Sequence, residues 1–216
     1  MHNWTVLADL ATALGTLVLA VATFASVRSA NRAARTAERG LLVALRPLLI
    51  PSRLTDEVQK VGFGDGKWLR LQGGCGHAEV DEEKRVIYLA ASLRNVGPGI
   101  AVLDSWRFSG ERMAGRELGG LDGFRRLTRD LYLAPGEIGF WQGAFRDDSE
   151  PVHAEAWKAI TSGSHMSVDV LYRDYEGGQS MVTRFGLSPR EDGQGWILSA
   201  GRHWHLDGHG PRDQEG

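Results

Sequence analysis

The chain has one cysteine in 216 residues, Cys75, so an intrachain disulfide is excluded. With it goes the disulfide-stapled class of small secreted domains, and a reducing compartment is expected. Proline is sparse, 7 residues against 28 glycines. The glycines mostly stand between short apolar runs, which is the punctuation of an all-β domain. An excess of positive charge is lacking too. With 25 Lys and Arg against 27 Asp and Glu the net charge is −2, without the electrostatic footprint of a nucleic-acid binder. No nucleic-acid partner is expected, and any charge that selects a partner must be local. Also missing are a βαβ rhythm and a glycine-rich nucleotide signature. GFGDGK at 62 to 67 lacks the spacing, the Ser/Thr and the following helix of a phosphate loop, and reads as a hairpin turn. The length suits one well-buried domain plus an appendage.

The appendage is the N-terminal run. LATALGTLVLAVATFASV, residues 10–27, is 18 residues without a charge. As a helix it rises about 27 Å, roughly the hydrocarbon thickness of a bilayer. A signal peptide needs a positive n-region, whereas MHNWTVLAD carries Asp9 as its only full charge. A soluble core helix of this length is usually amphipathic, and this stretch is apolar all round. A transmembrane helix over 10–27 is therefore predicted, with 1–9 a short extracytoplasmic N-terminus, Trp4 an interface anchor and Asp9 near the outer edge. Residues 28–45 continue as a basic juxtamembrane helix. Arg28, Arg32, Arg35 and Arg39 fall on one stripe of it, set the domain in the cytoplasm by the positive-inside rule, and are candidates for contact with anionic lipid headgroups. Ala8, Thr12, Thr16 and Ala20 form a ladder of small residues, and Ala11 and Gly15 a second. Homo-oligomerisation through close helix packing is thereby raised.

Beyond Pro47 the hydropathy pattern changes from helical to alternating. Strands are predicted at 67–72, 85–95, 100–110 and on both sides of Pro135 and Gly136 within 130–145. A hairpin follows, with Met166, Val168, Val170 and Tyr172 on one face and a turn at Glu176 to Gly178, and a last strand spans 195–206. In 85–95, Ile87, Leu89, Ala91 and Leu93 share a side; in 100–110, Ile100, Val102, Trp106 and Phe108 do. Residues 110–123 read as a long loop, and 150–163 as the one short helix, opened by Pro151 and closed by Gly163. The prediction is a mainly β domain over 46–207, an antiparallel β-sandwich, with a polar tail at 208–216.

Certain runs look familiar: R-P-L at 46–48, L-R-N-V-G-P-G-I-A at 93–101, L-x-P-G-E at 133–137 and Y-R-D-Y-E-G-G at 172–178. Together with the N-terminal span they resemble small single-pass bacterial membrane proteins of unassigned function. The N-x-G-x-G-x-A turn also resembles one in cell-adhesion-related β-sandwich modules. The resemblance implies an immunoglobulin-like soluble part and lends no catalytic residues.

For chemistry, Asp81 to Glu83 and Asp147, Asp148 and Glu150 read as solvated loop faces, without the ligand spacing of a Ca²⁺ loop. Cys75 and His77 make at most two ligands where a structural Zn²⁺ site takes four. The richest stretch is H-W-H-L-D-G-H at 203–209. Strict alternation from Trp196 predicts Trp204 and Leu206 on the core face, and His203, His205 and Asp207 on the wet face. His203, His205 and His209 are the metal-ligand candidates. The H-x-H-x-D-H loop of metallo-β-lactamases is not matched, because Gly208 intervenes and no chain remains downstream for a second ligand group. No cofactor is expected. The sequence thus predicts a membrane-tethered cytoplasmic β-sandwich that acts as an interaction or scaffold module, non-catalytic, with the bilayer and an unknown protein as partners. The alternatives are a metal-dependent enzyme or metal-binding protein using those histidines, and an exported envelope component of inverted topology.

Overall fold

The computed structural model describes residues 2–113, 117–193 and 195–207; of 2–8, Ala11 and Arg39 it describes the backbone only. His209 and the tail 208–216 lie outside the described residues. The chain divides into two compact units, Met1–Ala44 and Leu45–Gly216.

The first unit is one helix, α1 (His2–Ala44), about 64 Å long at 1.5 Å per residue. From Thr12 to Ala44 it is long and apolar enough to cross a membrane. The threonines tolerate this setting because their hydroxyls bond back to the preceding turn. Thr16 Oγ1 donates to the Thr12 carbonyl and Thr23 Oγ1 to that of Leu19, both at 2.8 Å. Pro47 ends the helix by excluding helical geometry at the residue before it.

The second unit holds β1 (Leu49–Pro51), β2 (Gln59–Gly62), β3 (Trp68–Leu71), β4 (Cys75–Asp81), β5 (Val86–Asn95), β6 (Ala101–Ser109), β7 (Arg125–Leu133), β8 (Ile138–Phe145), α2 (Pro151–Thr161), β9 (Met166–Asp174), β10 (Ser180–Pro189) and β11 (Trp196–His205). Every strand pairing is antiparallel. The large sheet runs β1-β5-β4-β11-β10-β9-β6-β7, with β8 on β5, while β2 and β3 form a separate hairpin. The large sheet curls, so that β8 meets β6 across a shared core. The Trp106 ring stands edge-on to Trp141 and to Phe145, each at 5.1 Å between centroids, and Phe108 meets Phe145 at 5.8 Å. The β2–β3 hairpin covers the other face of β5, packing Val61, Phe63, Leu69 and Leu71 on Val86, Tyr88 and Ala90. Hence β5 is buried on both sides, which explains its near-continuous apolar run. GFGDGK is the turn of this hairpin, closed by Phe63 N–H to the Lys67 carbonyl.

Two strands depart from strict alternation. In β6, Leu103 pairs with Tyr172 but Ser105 with Leu171, so Asp104 is a bulged residue. Parity reverses there. Ala101 and Leu103, rather than Ile100 and Val102, share the core with Trp106 and Phe108. In β11, Ala200 pairs with Phe185 and Arg202 with Arg184, leaving Gly201 as the extra residue. His203 and His205 therefore stand opposite Thr183 and Met181, on the core side of β10, and Trp204 stands opposite Val182 on the other side. The expected assignment of Trp204 to the core and the histidines to the wet face is corrected, because one inserted residue exchanges every side chain beyond it.

Asn95 joins the incoming chain to the sheet. Its side-chain oxygen accepts from Leu48 N–H at 3.1 Å and Gly97 N–H at 3.0 Å, and its amide donates to the carbonyls of Gly99 at 2.6 Å and Leu133 at 3.0 Å. A Cβ on Gly97 would overlap the Arg46 carbonyl oxygen, and one on Gly99 that of Leu45. The R-P-L and N-V-G-P-G runs are thus two halves of one contact.

Candidate functional site: the seam between the sheet edges

β7 and β8 are the two strands that end the curled sheet, because β7 pairs only with β6 and β8 only with β5. They are joined by the short turn through Pro135 and Gly136, whose Gly136 N–H bonds the Asn95 carbonyl at 2.7 Å. At that end they are close: a Cβ on Gly139 would lie 2.9 Å from Leu133 Cγ. Away from it they diverge. In β7, residues 127–130 stand opposite the single bulged residue Asp104, since Leu103 pairs with Leu131 and Ser105 with Arg126. Between the diverging edges lies a cleft of about 240 Å³. Its lining includes Trp106, Arg126, Leu127, Gln142, Ala144 and Arg146, with Phe63 at one wall.

Arginine side chains bridge the seam where main-chain bonds do not. Arg129 Nη2 donates to Gln142 Oε1 at 2.7 Å, with its guanidinium 5.7 Å from the Phe140 ring centroid. Arg125 lies 4.9 Å from the Phe145 centroid and 5.8 Å from that of Trp106. It is held by Glu150 through both carboxylate oxygens, one at 3.0 Å. Those hydrogen bonds keep the Glu150 carboxyl below its ordinary value. Asp147 is also lowered, by hydrogen bonds from the Ser149 hydroxyl and main chain. Across the cleft, Arg146 pairs with Asp65 at 3.2 Å. Burial raises Asp65, but bonds from Tyr88, Lys67 N–H and Arg146 outweigh it and the carboxyl sits low. Burial and the bond to Asp65 push Tyr88 up to about 12. The carboxylates at the cleft are therefore ionised and engaged near neutral pH, while Arg126 is exposed and has no acid partner among the described residues. This lining offers charge and hydrogen bonds rather than a nucleophile beside a base.

The residues singled out from sequence lie elsewhere, except at this rim. Asp147 and Glu150, expected on a solvated loop face, line the cleft mouth. Asp148 pairs with Arg85 at 2.5 Å. His203 joins a buried chain: Leu49 N–H donates to the Tyr172 hydroxyl, which meets Thr183 Oγ1 at 2.9 Å, which meets His203 Nδ1 at 2.7 Å. Burial raises the Tyr172 hydroxyl. Asp207 accepts from Ser180 N–H. Cys75 is buried, with Arg190 Nη1 3.5 Å from its Sγ. His77 sits 3.8 Å from Glu79, and burial lowers its pKa. Among the described residues no three His, Cys, Asp or Glu side chains converge to hold a metal ion. His209 is outside them. On α1, Arg28, Arg32 and Arg35 are exposed, and a Cβ placed on Gly15 would meet nothing within 4 Å beyond its chain neighbours and the helix's own nearby backbone.

No protein-family model and no curated protein sequence matches the chain. Among solved structures it is similar to a Bordetella pertussis chain named ApaA, at 13% identity over 78% of this chain and 98% of that one, with a TM-score of 0.23. At that score the likeness carries nothing about function.

Proposed function

We propose that the chain is a single-pass membrane protein whose cytoplasmic β domain is a tethered interaction module rather than an enzyme. The observation that carries this reading is the pairing of an apolar helix long enough to span a bilayer with a β domain that has a cleft lined by arginines and engaged carboxylates. The span holds the domain at the membrane surface, so partners there are met at raised effective concentration. Arg28, Arg32, Arg35 and Arg39 contact anionic headgroups and set the orientation, while Ala11 and Gly15 form a helix-pairing face. The curled sheet is read as an immunoglobulin-like sandwich, supported by the packing of β8 on β6 across the core. Affinity capture of the full chain from native membranes tests the function. A reproducible, stoichiometric protein partner is expected, and elution of the chain alone from every membrane preparation would count against it.

A further inference from the structure

We propose that β8 is an acceptor edge for an extended segment of another polypeptide, seated in the seam with an acidic side chain toward Arg126 and Arg129. The proposal rests on the interaction-module reading and names the partner class. It begins with what β8 lacks. Ile138–Phe145 reads IGFWQGAF, eight residues without a charge, and beyond its ladder to β5 it makes no main-chain hydrogen bond among the described residues. An uncharged apolar edge is a template for another strand, and proteins ordinarily guard such edges with charge, a bulge or a covering element. Here the guard is made of side chains from β7. Arg129 reaches Gln142 and Phe140, and Arg125 reaches Phe145. Long side chains swing aside at little cost compared with a strand, and the cleft beneath them supplies volume.

Position and charge narrow the occupant. The seam is shut at Leu133 and Gly139, so an incoming strand pairs with the Gln142 to Phe145 end. That end is fixed in place, because Gly143 packs so tightly that a Cβ would lie 2.6 Å from the Trp106 ring. Facing it, β7 carries Arg125, Arg126 and Arg129 against Asp130 alone, a net of +2. Arg125 is taken by Glu150, which leaves Arg126 and the Gln142-bound Arg129 for the ligand. A carboxylate there adds what the neutral Gln142 oxygen cannot, an opposite charge and two oxygens that match the guanidinium fork. A second copy of the chain would offer β7, which is basic, or β8, which is uncharged, and neither supplies that acid. Main-chain pairing gives affinity and the acid gives selection, the usual division of labour in strand addition.

The test uses the full chain in detergent micelles and fluorescein-labelled eight-residue peptides. One alternates Val and Glu, one alternates Val and Lys, and one is the Val/Glu peptide N-methylated at every amide, so that neither edge can donate. The Val/Glu peptide is expected to bind saturably. The Val/Lys and N-methylated peptides are expected to bind at least about tenfold more weakly. R126E/R129E, at two exposed positions, is expected to keep a cooperative melt, with a midpoint lowered by the lost Arg129–Gln142 bond, and to reverse the preference between Glu and Lys. Equal binding of the N-methylated peptide, indifference to R126E/R129E, or no saturable binding up to ~1 mM would overturn the acceptor edge. Self-association of the chain that the Val/Glu peptide displaces would put a second copy in the seam and overturn the acidic partner. If a membrane-captured partner stays on the R126E/R129E chain while no peptide binds, the seam is wrong and the interaction module stands.

Discussion

At the scale of single residues, Asn95 and Glu150 hold the domain's two ends in different ways. Asn95 is fully buried and satisfies four main-chain groups, one on the segment that enters the domain, two on its own turn and one at the end of β7. Asn95→Ala strands those donors and acceptors, at an expected cost of about 3 kcal/mol. For a domain of this size that is a fall in Tm of about 6–12 °C, measurable by tryptophan fluorescence of the full chain in micelles. Glu150 contributes through ionisation. Its folded pKa lies below the ordinary 4.5 because of Arg125, so the unfolded chain binds the proton more tightly and stability rises with pH through that window. The contribution is complete above about pH 4.5 and is lost as pH falls through the lowered value. Glu150→Gln is expected to flatten this acid limb in denaturant titrations run at successive pH values, leaving the limbs due to Asp56 and Asp65 in place. An unchanged slope would mean that the Arg125 pair does not form in solution.

At the scale of elements, composition and period predicted β3, β5, β6, β8, β9 and β11 to within a residue or two, offered no strand for β2 or β4, began β7 late, and failed at two bulges. Met166, Val168, Val170 and Tyr172 share the core as their alternation predicts, because β9 is regular along that stretch. β11 is not, and the one local sign is Gly201 itself, an isolated glycine inside a strand pattern, which strict alternation passes over. The bulge is set by its neighbour, where Thr183 offers the His203 ring a hydrogen bond inside the sheet and Arg184 takes the Trp204 ring at 4.9 Å outside it. A double-mutant cycle checks this. Thr183→Val and His203→Ala are expected to show a coupling of about 0.5–1.5 kcal/mol, whereas an unbulged strand would hold the two on opposite faces with none. The seam was illegible for a related reason. Arg125, Arg126 and Arg129 and the run IGFWQGAF are plain in the sequence, but their meeting depends on β7 and β8 being the two ends of one sheet. That order is fixed by pairings between strands far apart in sequence, such as β6 with β9 and β4 with β11, which no local pattern carries.

At the scale of the whole molecule, the proposed single-pass arrangement makes the span decide which compartment the β domain meets and the flanking charge decide the direction. Between Met1 and Val27 there is no Lys or Arg, whereas Arg28, Arg32, Arg35 and Arg39 follow within twelve residues. Moving that cluster outward would carry four permanently charged guanidinium groups across the bilayer against the positive-inside bias. Full-length fusions at the C-terminus are therefore expected to give a fluorescent cytoplasmic reporter and an inactive periplasmic-type phosphatase. R28Q/R32Q/R35Q/R39Q, combined with two lysines added ahead of Asp9, is expected to invert a measurable fraction of the chains and to turn the phosphatase on. The inverted fraction also separates tether from topology. It remains in the membrane through the same helix, but it presents the seam to the other side, where a cytoplasmic acidic segment does not reach it. Loss of the captured partner from that fraction, with retention in the wild type, would tie the partner to the compartment as well as to the membrane. An active phosphatase on the unaltered chain would place the domain outside and remove the cytoplasmic partner altogether.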